Sequence, residues 1–323
     1  MSNRPLVTIG FSSHRIETIP FARSLMENHE VIVLEEAPNP KFIDMLNKEI
    51  SIHEYLDGID SGFPEFSRHI YKPLQGFHSR GKKILQIEPY MERLMRIHEM
   101  FSEGKEPSDV LKITEMKKVY ETEKKATAAL LNFYESSMSK SFARLIDAVK
   151  KFAHADAERF RLRDKMRAEA IADVLPEDKT VYVEAGAIHT YLEKALRQIL
   201  GRRCQIKSVF LLEPFIKKLT GEKQVVAPGD ILTEYYIFGR KGNDEFETLQ
   251  AARALIYIQL IKKEEMAPSR MEKTPHLKDG LIAIELANKL SLDQCEEIYK
   301  KIRFKSRDQA LEIIQDYISS SSH

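Results

Sequence analysis

Five short runs rich in apolar and β-branched residues punctuate the first two thirds of the chain: Leu6–Ile9, Val31–Leu34, Lys83–Ile87, Thr180–Glu184 and Ile206–Leu212. Runs that are apolar on both faces suit a sheet buried between two layers, and the segments between them carry helical spacing. The pattern predicts an α/β fold with a mainly parallel central sheet flanked by helices. The first connecting helix is expected to reach about Asn28, with Thr18 placed to cap it and Pro20 in its first turn. A second, after Asn39, is amphipathic through Phe42, Ile43, Leu46 and Ile50. From Ser51 to Ser79, Gly58, Gly62, Pro64, Pro73 and Gly76 imply short helices and ordered loop.

Between Ser108 and Leu175 there is neither glycine nor proline. That stretch predicts two or three long helices, broken near Ser136–Ser141 and again near Ala153–Asp156. Together with its flanks it reads as a helical insertion, residues 91–176, in an α/β core spanning 1–222. Leu130, Leu131, Phe133, Tyr134 and Met138 recur at helical spacing, so these helices pack on the sheet or pair with a second subunit as a homodimer. Past Glu222 the character changes to a mostly helical region, 223–318. Pro228-Gly229 marks a turn and Tyr235–Phe238 an edge strand. Helices follow at Glu245–Glu265, Leu277–Lys289, Leu292–Ile302 and Ser306–Ile318, with Ser291 and Ser306 at cap positions. Residues 319–323 read as a disordered tail.

Composition narrows the function classes. Fifty basic and forty-nine acidic residues leave a net charge of +1, which gives no footprint for nucleic acid or a membrane surface. The longest apolar run, Ala254–Ile261, is far too short to span a bilayer. No signal peptide is evident, and Cys204 and Cys295 lack metal-type spacing, so a reducing, cytoplasmic setting is expected.

The chemistry gathers around two similar units. In one, the strand Leu6–Ile9 is followed by Gly10 and His14; in the other, Thr180–Glu184 is followed by Gly186 and His189. Each unit continues through a helix to a strand ending in a carboxylate, Glu35 in VIVLEE and Glu213 in VFLLEP. For Glu213, an acid at the positive end of a helix explains the pattern as it stands. Ligands bind beyond the carboxyl ends of parallel strands, which makes His14, Glu35 with Glu36, Glu88, Glu184 and His189 rim candidates. His14, His189 and Glu35 would suit Zn²⁺, Mn²⁺ or a related divalent ion that activates water, with Glu36, Glu88 and Glu184 as further ligand-binding groups. Without a metal, a His backed by a Glu would serve as general base. His53, His69, His78 and His98 read as surface residues, and Arg159, Arg161, Arg163 and Arg167 as a basic helix face or a clamp for an anion. Walker, G-x-G-x-x-G, H-E-x-x-H and G-x-S-x-G motifs do not occur.

The stretch RFRLRDKMRAEAIADVLPEDKTVYVEAGAIH resembles TraB/Tiki/PrgY-like proteins, in which an Arg-containing helix precedes a strand and a Gly-x-x-His turn. The opening VTIGFSSH with VIVLEEAP resembles the N-terminal half-motif of the wider erythromycin esterase/ChaN-like superfamily. The resemblance implies a rim pocket whose functional set is His14, Glu35, Arg163 and His189. It spans metal-dependent proteases, metal-free esterases and haem- or iron-handling proteins. The leading expectation is therefore a hydrolase, divalent-metal-dependent, acting on an ester or amide bond of a small-molecule or peptide substrate, with Arg163 positioning an anionic group. The alternatives are a non-catalytic protein holding haem, metal or a small molecule, and a scaffold built on the long helices.

Overall fold

The computed structural model describes residues 4–59, 62–176 and 179–320. Through the first half the elements run β1 (Leu6–Ser12), α1 (Ile19–Glu27), β2 (Val31–Leu34), α2 (Phe42–Leu46), α3 (Ile52–Asp57), α4 (Pro64–Ser79), β3 (Lys83–Gln86), α5 (Pro89–Ser102), α6 (Pro107–Leu111), α7 (Thr114–Ser137) and α8 (Phe142–Val174). They continue through β4 (Val181–Gly186), α9 (Tyr191–Leu200), β5 (Gln205–Phe210) and α10 (Glu213–Thr220). The final stretch is helical: α11 (Pro228–Ile237), α12 (Asp244–Leu260), α13 (Pro275–Asn288), α14 (Leu292–Ile302) and α15 (Arg307–Ser320).

All five expected strands form one parallel sheet in the order β3-β2-β4-β1-β5. The order interleaves the two units. The β1-to-β2 connection crosses β4, the β4-to-β5 connection crosses β1, and the two strands that lead into the His turns end up as central neighbours. Side chains alternate across the pleat. Val7, Ile9, Phe11, Val31, Val33, Val181, Val183 and Ala185 pack on one face with α9 and with Ala168 and Ile171 of α8. Ile32, Leu34 and Tyr182 pack on the other with α1, α2, α3 and α4. Burial on both faces explains why these runs lack polar alternation.

The chain divides into two compact units, one of residues 1–121 and 160–224, the other of 122–159 and 225–323. The sheet and the rim belong to the first. In the second, α12 packs against α11, α13, α14 and α15, and the Ser291 hydroxyl caps α14 in a reciprocal capping box with Gln294.

Several expectations need correction. Tyr235–Phe238 is no edge strand: Leu232, Thr233, Tyr236 and Ile237 are buried at helical spacing in α11, and packing overrides the β-propensity of this run. Helix α8 runs unbroken through Ala153–Asp156, where nothing in the backbone chemistry interrupts it. Helix α4 is longer than foreseen and contains Pro73, because Phe66, Ile70, Tyr71, Leu74 and Phe77 share its buried face. At about 1.5–3 kcal/mol for each large side chain, that burial outweighs the roughly 3 kcal/mol cost of an interior proline. Thr18 makes no side-chain cap; its hydroxyl donates to the Arg15 carbonyl instead. Ser319 and Ser320 continue α15 rather than a disordered tail, and 321–323 lie outside the described residues.

Candidate functional site

The parallel register sets Gly10 beside Glu184 and Ser12 beside Gly186, so the two His turns leave the sheet at the same height. Close approach favours glycine at both strand positions, strongly at Gly10 and more mildly at Gly186. A Cβ on Gly10 would sit 2.4 Å from the Tyr182 hydroxyl. A Cβ on Gly186 would meet His189 Cδ2 at 3.2 Å, His14 Cε1 at 3.4 Å and Glu35 Oε2 at 3.6 Å. Both imidazoles and the Glu35 carboxylate thus converge on a single point above Gly186. The six expected rim residues and Arg163 share this end of the sheet, but they fall into two groups of different character.

The first group is buried and tightly paired. Glu35 follows β2 directly. Its Oε2 accepts the Gly186 amide at 2.6 Å, and its Oε1 lies 2.9 Å from His189 Nε2. The other ring nitrogen, His189 Nδ1, bonds Asp164 Oδ1 at 2.5 Å. His189 is 4% exposed, so its ring is sealed between two carboxylates. Burial alone would lower its pKa, but the charges of Glu35 and Asp164 raise it to about 9, making it an imidazolium at neutral pH. Burial pushes the Glu35 carboxyl up, and His189, Arg167 and His14 overcome this and hold it well below the usual carboxylate range.

Two arginines from α8 complete this group. Arg167, 1% exposed, donates to the Ile87 carbonyl at 2.9 Å and the Glu184 carbonyl at 2.6 Å, and lies 3.4 Å from Glu35. Arg163, 17% exposed, reaches Glu88 at 3.4 Å and Glu35 at 3.5 Å. Glu88 is fully buried beside both guanidinium groups.

The second group is more open. His14 adopts a left-handed φ of 50°, and its amide donates to the Ser12 hydroxyl at 3.0 Å. Its ring is 20% exposed and packs edge-on to Phe66, 5.3 Å between centroids. The ring's closest charged neighbour is Glu184, with Oε1 3.9 Å from Nε2. The other Glu184 oxygen accepts the Glu35 amide at 3.2 Å, tying the groups together. Glu36 turns the opposite way from Glu35 and accepts from Tyr71 and Gln86, each at 2.8 Å. Burial and the Glu184 charge push its carboxyl up to about 7, against the lowering effect of those hydrogen bonds.

These contacts do not fit a divalent ion on His14, Glu35 and His189. His189 has both ring nitrogens committed to carboxylates, and Arg163 and Arg167 already supply the positive charge that an ion would bring. Among the described residues, no group of three or more His, Cys, Asp or Glu side chains is arranged to hold a metal. The sealed His189 ring offers no nitrogen to haem iron either. Arg163, expected to clamp a substrate anion, is committed to Glu35 and Glu88.

Asp164 is the partner absent from the sequence expectations, and Arg167 figured there only as part of a basic helix face or an anion clamp. Their signal was present: Arg163, Asp164 and Arg167 share a helix stretch with the buried Ala168 and Ile171. Charges inside an apolar stripe require buried partners. The remaining arginines of the run behave differently, with Arg159 pairing with Asp156 and Arg161 lying over the Tyr191 ring. Glu213 pairs with Lys217 one helical turn on, at 2.6 Å, and takes no part in the rim. No helix among the described residues is long and apolar enough to cross a membrane.

No family model and no solved structure matches the chain. An Archaeoglobus fulgidus protein described as "Uncharacterized protein" is 33% identical over 289 residues, which cover 90% of this chain and 96% of that protein. Similarity of that extent, over nearly the whole of both chains, makes the two members of one family.

Proposed function

We propose that the rim pocket is the active site of a hydrolase that cleaves an ester or amide bond without a metal, with His14 as general base. The observation that carries this reading is the contrast between the two rings. His14 is partly exposed, and among the described residues its ring forms no hydrogen bond, only the 3.9 Å approach to Glu184. His189 is locked as a cation. A base must exchange protons with something that reaches it from solvent, and only His14 has that freedom.

In this scheme His14 takes a proton from water as the oxygen attacks the substrate carbonyl, and Glu184 stabilises the imidazolium that forms. The proton then passes from His14 to the leaving oxygen or nitrogen. Arg163, the more exposed of the two arginines, engages Glu88 through Nε and Glu35 through Nη2, and its remaining N–H groups donate to the tetrahedral oxyanion as it develops. Glu35 and Asp164 hold His189 and the two arginines in place and do not exchange protons during turnover.

A panel of aryl esters and short peptides, assayed with and without EDTA, tests the reading. The expected result is hydrolysis of at least one class, indifferent to chelator and lost in His14→Ala. One equivalent of tightly bound metal that is needed for turnover would overturn the metal-free scheme. A stoichiometric Soret band after haem addition, with no hydrolysis of any substrate, would replace the enzyme with a binding protein.

A further inference from the structure

With Arg163 held by Glu35 and Glu88 and its remaining N–H groups assigned to the oxyanion, the cation that would meet a substrate carboxylate has to be found elsewhere at the mouth. The residue after the proposed base is Arg15. Its guanidinium carbon lies over the Phe63 ring, 4.8 Å from the centroid. It makes no ion pair or side-chain hydrogen bond among the described residues. Its backbone is fixed, since the Arg15 carbonyl accepts both the Thr18 amide at 2.9 Å and the Thr18 hydroxyl at 2.7 Å. The same Phe63 ring lies 6.0 Å from the His14 ring. One aromatic side chain therefore contacts both a guanidinium and the proposed base, and Phe66 also packs against the His14 ring.

A guanidinium stacked on an aromatic face keeps its in-plane N–H groups free for a carboxylate, and stacking sets their direction. We infer that Arg15 and Phe63 form the specificity subsite of this enzyme, and that its substrate is an ester or amide carrying an apolar, preferably aromatic, segment that ends in a carboxylate. The inference rests on His14 being the base, because that is what fixes where the scissile bond lies. Arg15 would contact the carboxylate and Phe63 the flat apolar segment, with the carbonyl delivered to His14.

The test compares 4-carboxyphenyl acetate with its neutral analogue 4-carbamoylphenyl acetate. A charge-assisted bidentate contact is expected to favour the anionic ester about tenfold or more in kcat/KM, mainly through KM. In Arg15→Met that ratio should fall to near one, and Arg15→Lys should restore only part of it. A parallel titration calorimetry arm uses the product 4-hydroxybenzoate against 4-hydroxybenzamide. Only the carboxylate should bind, and binding should weaken about tenfold in Arg15→Met while the thermal midpoint stays put. Equal handling of the two esters by the unsubstituted protein, or a preference that survives in Arg15→Met, overturns the inference. Failure to cleave either ester counts against the hydrolase reading instead, and the calorimetric arm still decides for or against Arg15.

Discussion

The His14 turn and the His189 turn leave adjacent strands at one height, after similar sequences, and end in different surroundings. The difference comes from what covers each. Helix α8 lies over the second turn and brings Asp164, Arg163 and Arg167, so His189 is sealed, paired twice and charged. Helix α4 brings Phe66, and the turn before it Phe63, to the first, so His14 meets aromatic faces, a little solvent and one carboxylate at a distance. A shared local pattern thus yields one ring suited to exchange protons and one suited to hold a charge still. Their carboxylates diverge too: Glu35 enters the cluster, whereas Glu213 stays on the surface with Lys217.

The sharpest way to break this comparison is to remove the open ring. His14→Ala should lower hydrolysis by about 10²–10⁴-fold with little change in thermal midpoint, because the side chain makes no hydrogen bond among the described residues. An unchanged rate in the best substrate would remove His14 from the chemistry. The sealed ring should behave in the reverse order. Asp164→Ala strands a buried imidazolium and should cost about 3–5 kcal/mol in denaturant unfolding, against well under half of that for His14→Ala. Comparable losses from the two variants would show that the rings are not different in kind.

Smaller effects probe the point where the turns meet. In Gly186→Ala the new Cβ presses on His189, with His14 also in contact, and a cost of about 1–3 kcal/mol together with a lowered rate is expected. A fully active, fully stable variant would mean that the convergence above Gly186 is looser than described.

The pH dependence is the mildest test and has a definite sign. His189 has a folded pKa of about 9, above its unfolded value near 6.5. Its stabilising contribution is complete below about 6.5 and drains away as pH rises through 9. Glu35 is depressed below 4.5, so its contribution is present above that value and is lost as pH falls. Glu36 is raised to about 7, so it favours the fold at low pH and stops doing so as pH climbs from 4.5 through 7. These groups together place their maximum stability on the acid side of neutrality. Carbon-detected NMR titration should find His189 still protonated at pH 8, and a His189 that titrates near 6.5 would undo the imidazolium assignment.

Periodicity and local chemistry in the sequence determined the five strands, their burial on both faces, the helices between them and the placing of His14 and His189 at strand ends. These are properties of a few neighbouring residues. They also set Glu213 apart, since an acid at the positive end of a helix needs no distant partner. Only the tertiary structure decided the interleaved strand order, which makes β1 and β4 neighbours, and the covering of one turn by α8 and the other by α4. It also decided that Tyr235–Phe238 coils into a helix, because the apolar surface available to that run lies along one side. The charge states at the rim belong to the same category. A pKa depends on which charges stand within a few ångströms after folding, and Asp164, Arg167 and Glu35 reach His189 from three separate elements.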